Sequence, residues 1–242
     1  MKEIKINFKK MKNIGYDYVK ITTNSVNEDI CIDEYNNGKI EFEQYFFNFF
    51  PTIFITIYAG KEKDMVLENE KLKEIGYLEG TYFPSRATLG ELGVEDSICS
   101  IADDVGWDTF ACVEKLLDEN SFDFDSKIAT FLDNVFYIDR LEIYPEFQNQ
   151  GIASFLLANL HKILIYKEHI PSISTFVVLP YPFLLDKEKA PKEKIKQEQN
   201  KLIKFYKKFG FKKFKNSSYY YFNTEYKDVL FMDVMDEIQE VI

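Results

Sequence analysis

The chain has 242 residues, 46% of them hydrophobic and 29% charged, with 40 acidic against 30 basic side chains and a formal net charge of -10. That composition suits one globular domain over 1–242 and excludes collagen-like and disordered classes; the acidic sum argues against nucleic acid, whose binders normally show a basic domain or face. Three cysteines (Cys31, Cys99, Cys112) and two histidines (His161, His169) lack ligand-like spacing, so no metal is expected and the cysteines read as reduced.

In chain order, the first 38 residues show only strand and loop character, and 1–50 reads as an N-terminal extension or first strand. The opening "MKEIKINFKKMK" has no apolar signal core, so the expected address is cytoplasmic. Apolar patterning predicts strands over 39–45, 52–59 and 74–83. The aromatic-rich "YFFNFFPTIFITIYAG" is broken by a proline and falls short of the roughly 20 residues of a membrane span, so no membrane is expected. Residues 91–125 hold eleven acids against Lys115 alone, and within them an inserted, surface-facing acidic helix is predicted over 97–119.

A strand over 135–143 then runs into a helix over 149–166, whose Ile152, Phe155, Leu156, Leu160, Ile163 and Leu164 recur at three- and four-residue spacing. A strand follows over 173–179. A second helix, opened by Pro191 and stopped by Gly210, spans 191–209; it is apolar on one side and carries lysines on the other. Twelve lysines face three glutamates over 187–215. Strands over 219–222 and 229–234 complete an α/β or α+β pattern.

The junction "PEFQNQGIASFLL" carries the chemistry. Backbone N–H groups at a helix start have no internal partners and add to the positive end of the helix dipole, which favours an anion. Gly151 removes a side chain at the point of approach, and Ala153 is the next smallest choice. The alternative is a tight strand-to-helix turn with no ligand. The lysine of a P-loop and the first glycine of a dinucleotide fingerprint are both missing.

These residues resemble the GNAT superfamily of acyl-CoA-dependent N-acetyltransferases. "LEIYPEFQNQGIASFLL", residues 141–157, is similar to that family's fourth strand, Gln/Arg-x-x-Gly-x-Gly/Ala loop and following helix. "IKFYKKFGF", residues 203–211, resembles its Phe-Tyr-x-x-x-Gly-Phe signature, and "ISTFVVLPYPF" its fifth strand. The resemblance implies a mixed, mostly antiparallel sheet splayed between the fourth and fifth strands and flanked by helices. It also implies acetyl-CoA as co-substrate. Backbone groups at Leu141 and Ile143 would meet the acetyl and pantetheine portion. Gln148, Asn149, Gln150, Gly151, Ile152 and Ala153 would form the pyrophosphate loop, with Ser154 at its helical end. Tyr206 would contact CoA and protonate the departing thiolate, a role open to a phenol of pKa about 10. One departure is plain: Gln199 stands where many members have asparagine, and Asn200 is one residue late.

The amine must be neutral to attack. Asp139 is the first candidate base, because period-two geometry puts it on one strand face with Leu141 and Ile143, and Glu142 on the other face is the reserve. The acidic stretch favours a cationic small-molecule or peptide acceptor, no nucleic acid, and a homodimer is the default assembly. Two other readings stay open at this point: a catalytically weak CoA-binding regulatory module of the same fold, and a structural domain in which the motifs are packing accidents.

Overall fold

The computed structural model describes residues 18–25, 52–60, 72–91, 98–118, 123–130, 132–168, 173–183 and 190–224. In chain order these form β1 (Tyr18–Ser25), β2 (Thr52–Gly60), β3 (Lys73–Phe83), α1 (Arg86–Glu91), α2 (Ile98–Val105), α3 (Trp107–Leu116), β4 (Val135–Ile143), a 3-10 turn (Pro145–Phe147), α4 (Ile152–Glu168), β5 (Thr175–Val178), α5 (Lys192–Lys208), β6 (Lys212–Lys213) and β7 (Tyr220–Asn223). The strands expected over 39–45 and 229–234, together with Cys31 and His169, lie outside the described residues.

The strands join in one seven-stranded sheet of order β1-β2-β3-β4-β5-β7-β6. Every neighbouring pair is antiparallel except β4 and β5, which are parallel because the helix α4 carries the chain back between them. The mixed, mostly antiparallel fold expected from the sequence is therefore present. Strand β2 shows why such runs form sheet: Ile53, Ile55, Ile57 and Ala59 alternate on one fully buried face. Each buried isoleucine contributes about 1.5–3 kcal/mol of transfer energy.

Two cores lie on opposite faces of the central strands. On the first face Phe136, Ile138, Phe176 and Val178 pack with Leu156, Leu160 and Leu164 of α4 and Tyr206 of α5. On the second, Val135, Tyr137 and Val177 pack with Ile98 and Ala102 of α2 and Cys112, Val113 and Leu116 of α3. The single surface helix expected over 97–119 is corrected: Gly106, at φ 150°, breaks it into α2 and α3, and their inner sides are core. Among the described residues no helix is long and apolar enough to cross a membrane.

The splay lies in the pairing of β4. Residues 135–138 pair with β5, from Val135 opposite Thr175 to Ile138 opposite Val178, and there the pairing stops. Residues 139–143 pair with β3 alone. At the same point the register with β3 shifts, Gly80 facing Ile138 and Glu79 facing Arg140, so that Asp139 is an extra residue and β4 is bulged. Gly80 makes this close approach feasible: a Cβ there would stand 2.5 Å from the Phe136 ring and 2.6 Å from Tyr137 O.

Candidate functional site

Strand alternation shows what the unpaired half of β4 offers. Tyr144 N–H donates to Ile75 O of β3 at 2.9 Å. Across a trans peptide the carbonyl preceding that N–H points the opposite way, and within a strand a residue's own N–H and C=O point together. The peptide groups of Ile143, and by period two those of Leu141, therefore face the side that β5 has left. The Ile143 carbonyl accepts from Gln148 Nε2 at 2.8 Å, which ties the loop to the strand end.

The loop folds back through two left-handed residues, Asn149 at φ 60° and Gly151 at φ 88°. Phe155 N–H, donating to Gly151 O at 2.8 Å, makes the first helical hydrogen bond. The N–H groups of Ile152, Ala153 and Ser154 precede it and have no intrahelical acceptor. Gln150 is buried, its Nε2 donating to Glu146 O at 3.1 Å and its Oε1 left without a partner, while Gln148 and Asn149 are exposed. A strand edge with outward peptide groups thus runs directly into an unpaired helix start. The backbone donors and the small residues Gly151 and Ala153 fit an extended, amide-bearing arm that ends in a diphosphate.

Tyr206 sits in the last turn of α5, 5% exposed, with its ring 5.3 Å from those of Phe205 and Phe211. Burial pushes its phenol pKa well above the ordinary value, so it stays protonated across the physiological range. Gln199, two turns earlier, is half-buried on the Tyr206 side of the helix, whereas Asn200 is exposed.

The expected placement of Asp139 is corrected. Leu141 and Ile143 pack in the first core, while Asp139 accepts a hydrogen bond from Tyr137 of the second core and feels Asp108 of α3. The bulge is the physical reason: one extra residue resets the alternation, so Asp139 leaves the face of Leu141 and Ile143 and joins that of Glu142. Burial, then the Asp108 charge, raises the Asp139 pKa against the opposing pull of Arg140 and Tyr137.

The same bulge assembles a polar cluster that the sequence reading did not single out. Arg140 Nη1 donates to Tyr77 Oη at 3.3 Å, and Tyr77 donates to Glu142 Oε2 at 3.2 Å. The Arg140 guanidinium lies 5.5 Å over the Phe183 ring, and its Nε is buried without a partner. Glu79, opposite Arg140, has its pKa raised by burial and by Asp139, with Arg140 opposing. Tyr77 and Glu79 could be found only through the cross-strand register, for which the sequence carries no signal. Cys112 is fully buried, and burial pushes its thiol pKa well up, so it is no nucleophile; Cys99 is half-buried.

No protein-family model matches the chain, and no curated protein matches it. Solved structures do. AtaTR bound with AcCoA is 15% identical, with 86% of this chain and 95% of that one covered at a TM-score of 0.40. The KacTA–DNA complex is 12% identical, covering 85% and 94% at 0.37. AtaT complexed with acetyl-methionyl-tRNAfMet is 14% identical, covering 85% and 95% at 0.36. The exclusion of nucleic acid, and with it the restriction to a small-molecule or peptide acceptor, is corrected by these last two complexes. The reasoning failed because a net charge of -10 is a sum over separate faces: the outer lysines of α5 stand apart from the acids of α2 and α3.

Proposed function

We propose that this chain is an acetyl-CoA-dependent N-acetyltransferase acting on a primary amine by direct attack. The observation that carries the reading is the release of β4 from β5 after Ile138, immediately ahead of the left-handed loop and the open start of α4. Acetyl-CoA supplies the activated thioester. The peptide groups of Leu141 and Ile143 hold its pantetheine arm as a partner strand would, and the N–H groups of Ile152, Ala153 and Ser154 receive the diphosphate.

The outward N–H of Ile143 polarises the thioester carbonyl as negative charge develops on its oxygen. Tyr206, kept protonated by burial, donates its proton to the departing sulfur from the first face of the sheet. Asp139 and Glu142 approach from the second face, where Asp139, with its raised pKa, takes the proton from the ammonium or the attacking amine. Arg140 and Tyr77 hold Glu142 in place. Acid and base thus work from opposite sides of one opening in the sheet.

Two measurements test this. Saturating acetyl-CoA should raise the melting temperature, because a ligand that binds only the folded state stabilises it. Thiol release should then depend on an added amine, with the acetyl group recovered on nitrogen by mass spectrometry. Absence of stabilisation by acetyl-CoA overturns the reading; stabilisation without amine-dependent release reduces it to CoA binding.

A further inference from the structure

We propose that the outer face of α5 and the β6 turn that follows it form a docking surface for the ribose-phosphate backbone of a folded, double-helical RNA. The surface is independent of the acetyl-transfer reading. Lys204, Lys207 and Lys208 are exposed on the last turns of the helix, and Lys213 continues the patch on β6, where its partner Tyr220 belongs to the same core face as α5. None of these four has an ion-pair partner among the described residues, although two neighbours, Lys201 and Lys215, are paired with Glu198 and Asp125 at 2.7 Å.

The arrangement is electrostatically costly. Lys204 with Lys207 and with Lys208 are like-charge pairs at three- and four-residue spacing, each unfavourable to the helix. The favourable position of Lys207 and Lys208 at the negative end of the helix dipole offsets only part of that. Among the described residues no acid neutralises this face, and eleven of the chain's acids fall over 91–125. A polyanion relieves the repulsion and gains entropy by releasing counterions.

Geometry selects the polyanion. Tyr206 anchors the inner side of α5 in the first core, with Leu202, Ile203 and Phe205 packed beside it. The helix is therefore held along its inner side, and what it offers outward is a lysine-covered convex face. The wide, shallow minor groove of an A-form duplex accepts a convex face laid across it, recognised through backbone and 2′-hydroxyls. The face carries lysines and no arginine fork for reading base edges. A membrane surface is disfavoured, because among the described residues the exposed large apolar side chains are Trp107, Leu132 and Phe183, none of them on α5.

The test is fluorescence anisotropy with a labelled RNA hairpin and the full-length protein without acetyl-CoA. Binding should weaken with salt at a log–log slope of roughly -3.5, as expected when about four phosphates are neutralised. A triple Lys204→Gln, Lys207→Gln, Lys213→Gln variant should bind at least tenfold more weakly, whereas Lys73→Gln, Lys115→Gln, Lys127→Gln, an equal loss of charge elsewhere, should bind within twofold of the parent. Both variants should keep the parent's melting temperature and its stabilisation by acetyl-CoA. No salt-sensitive binding, equal losses in both triples, or equal or tighter binding of a DNA hairpin of the same sequence overturns the proposal.

Discussion

The two halves of β4 show how one strand can be both core and site. Residues 135–138 are hydrogen-bonded on both sides and at most 1% exposed, Val135 and Tyr137 filling one core and Phe136 and Ile138 the other. Residues 139–143 are paired on one side only; Asp139, Arg140, Leu141 and Glu142 are half-exposed, and only Ile143 is buried. Between the halves lies a bulge one residue wide. The first half anchors the strand so rigidly that the second can hold peptide groups free of a partner strand at a fixed position, which the acyl donor proposed above requires and a mobile loop cannot supply.

The sharpest way to break that comparison is a pair of truncations. Phe136→Ala should cost about 3–5 kcal/mol and Leu141→Ala about 2 kcal/mol or less, because only the first vacates a fully enclosed site. Urea melts measure both, and equal costs would mean that the halves are packed alike. Next in size, Tyr206→Phe should lower turnover about 100-fold while leaving acetyl-CoA affinity nearly unchanged, since it removes a proton donor and keeps the ring. Equal turnover in both proteins would remove Tyr206 from the chemistry.

Gly80→Ala tests the boundary itself. Its Cβ would collide with the Phe136 ring and the Tyr137 carbonyl, for which overpacking costs of about 1–3 kcal/mol are typical, and both melting temperature and turnover should fall. The smallest effect is expected from Asp139→Asn. The folded-state pKa of Asp139 is raised above the ordinary 3.8, so its ionised form burdens the fold above that pKa and not below 3.8. The variant should therefore be slightly more stable than the parent at neutral pH and equal to it in stronger acid. If Asp139 is the base, the variant also loses the acidic limb of the pH–rate profile; a retained limb passes the role to Glu142.

Much of the fold was legible because it follows from local pattern. The strand expected over 135–143 matches β4, the helices expected over 149–166 and 191–209 lie within three residues of α4 and α5, and the parallel pairing follows from a helix between two strands. Gly210 takes the positive φ that its place at the helix stop suggested, and Gly151 takes one as well. What failed was of another kind. Period-two alternation placed Asp139 beside Leu141, and a single unpaired residue overturned it, because a bulge arises from the fit of two strands distant in sequence. The acidic helix was read from its exposed charges, although Ile98, Ala102, Cys112 and Leu116 hold it in the core.

The sequence by itself determined the order of elements, the loop whose glycine and alanine open α4, the burial-prone aromatic stretch around Tyr206 and the segregation of charge along the chain. These are set by neighbours within a few residues, where hydrophobic period and backbone freedom act directly. Only the tertiary structure decided where β4 parts from β5, which face each carboxylate occupies, how Arg140, Tyr77 and Glu142 meet, and which lysines stand without an ion-pair partner among the described residues. Each depends on register or packing between residues far apart in sequence, and a one-residue shift there moves a side chain from one face of the sheet to the other.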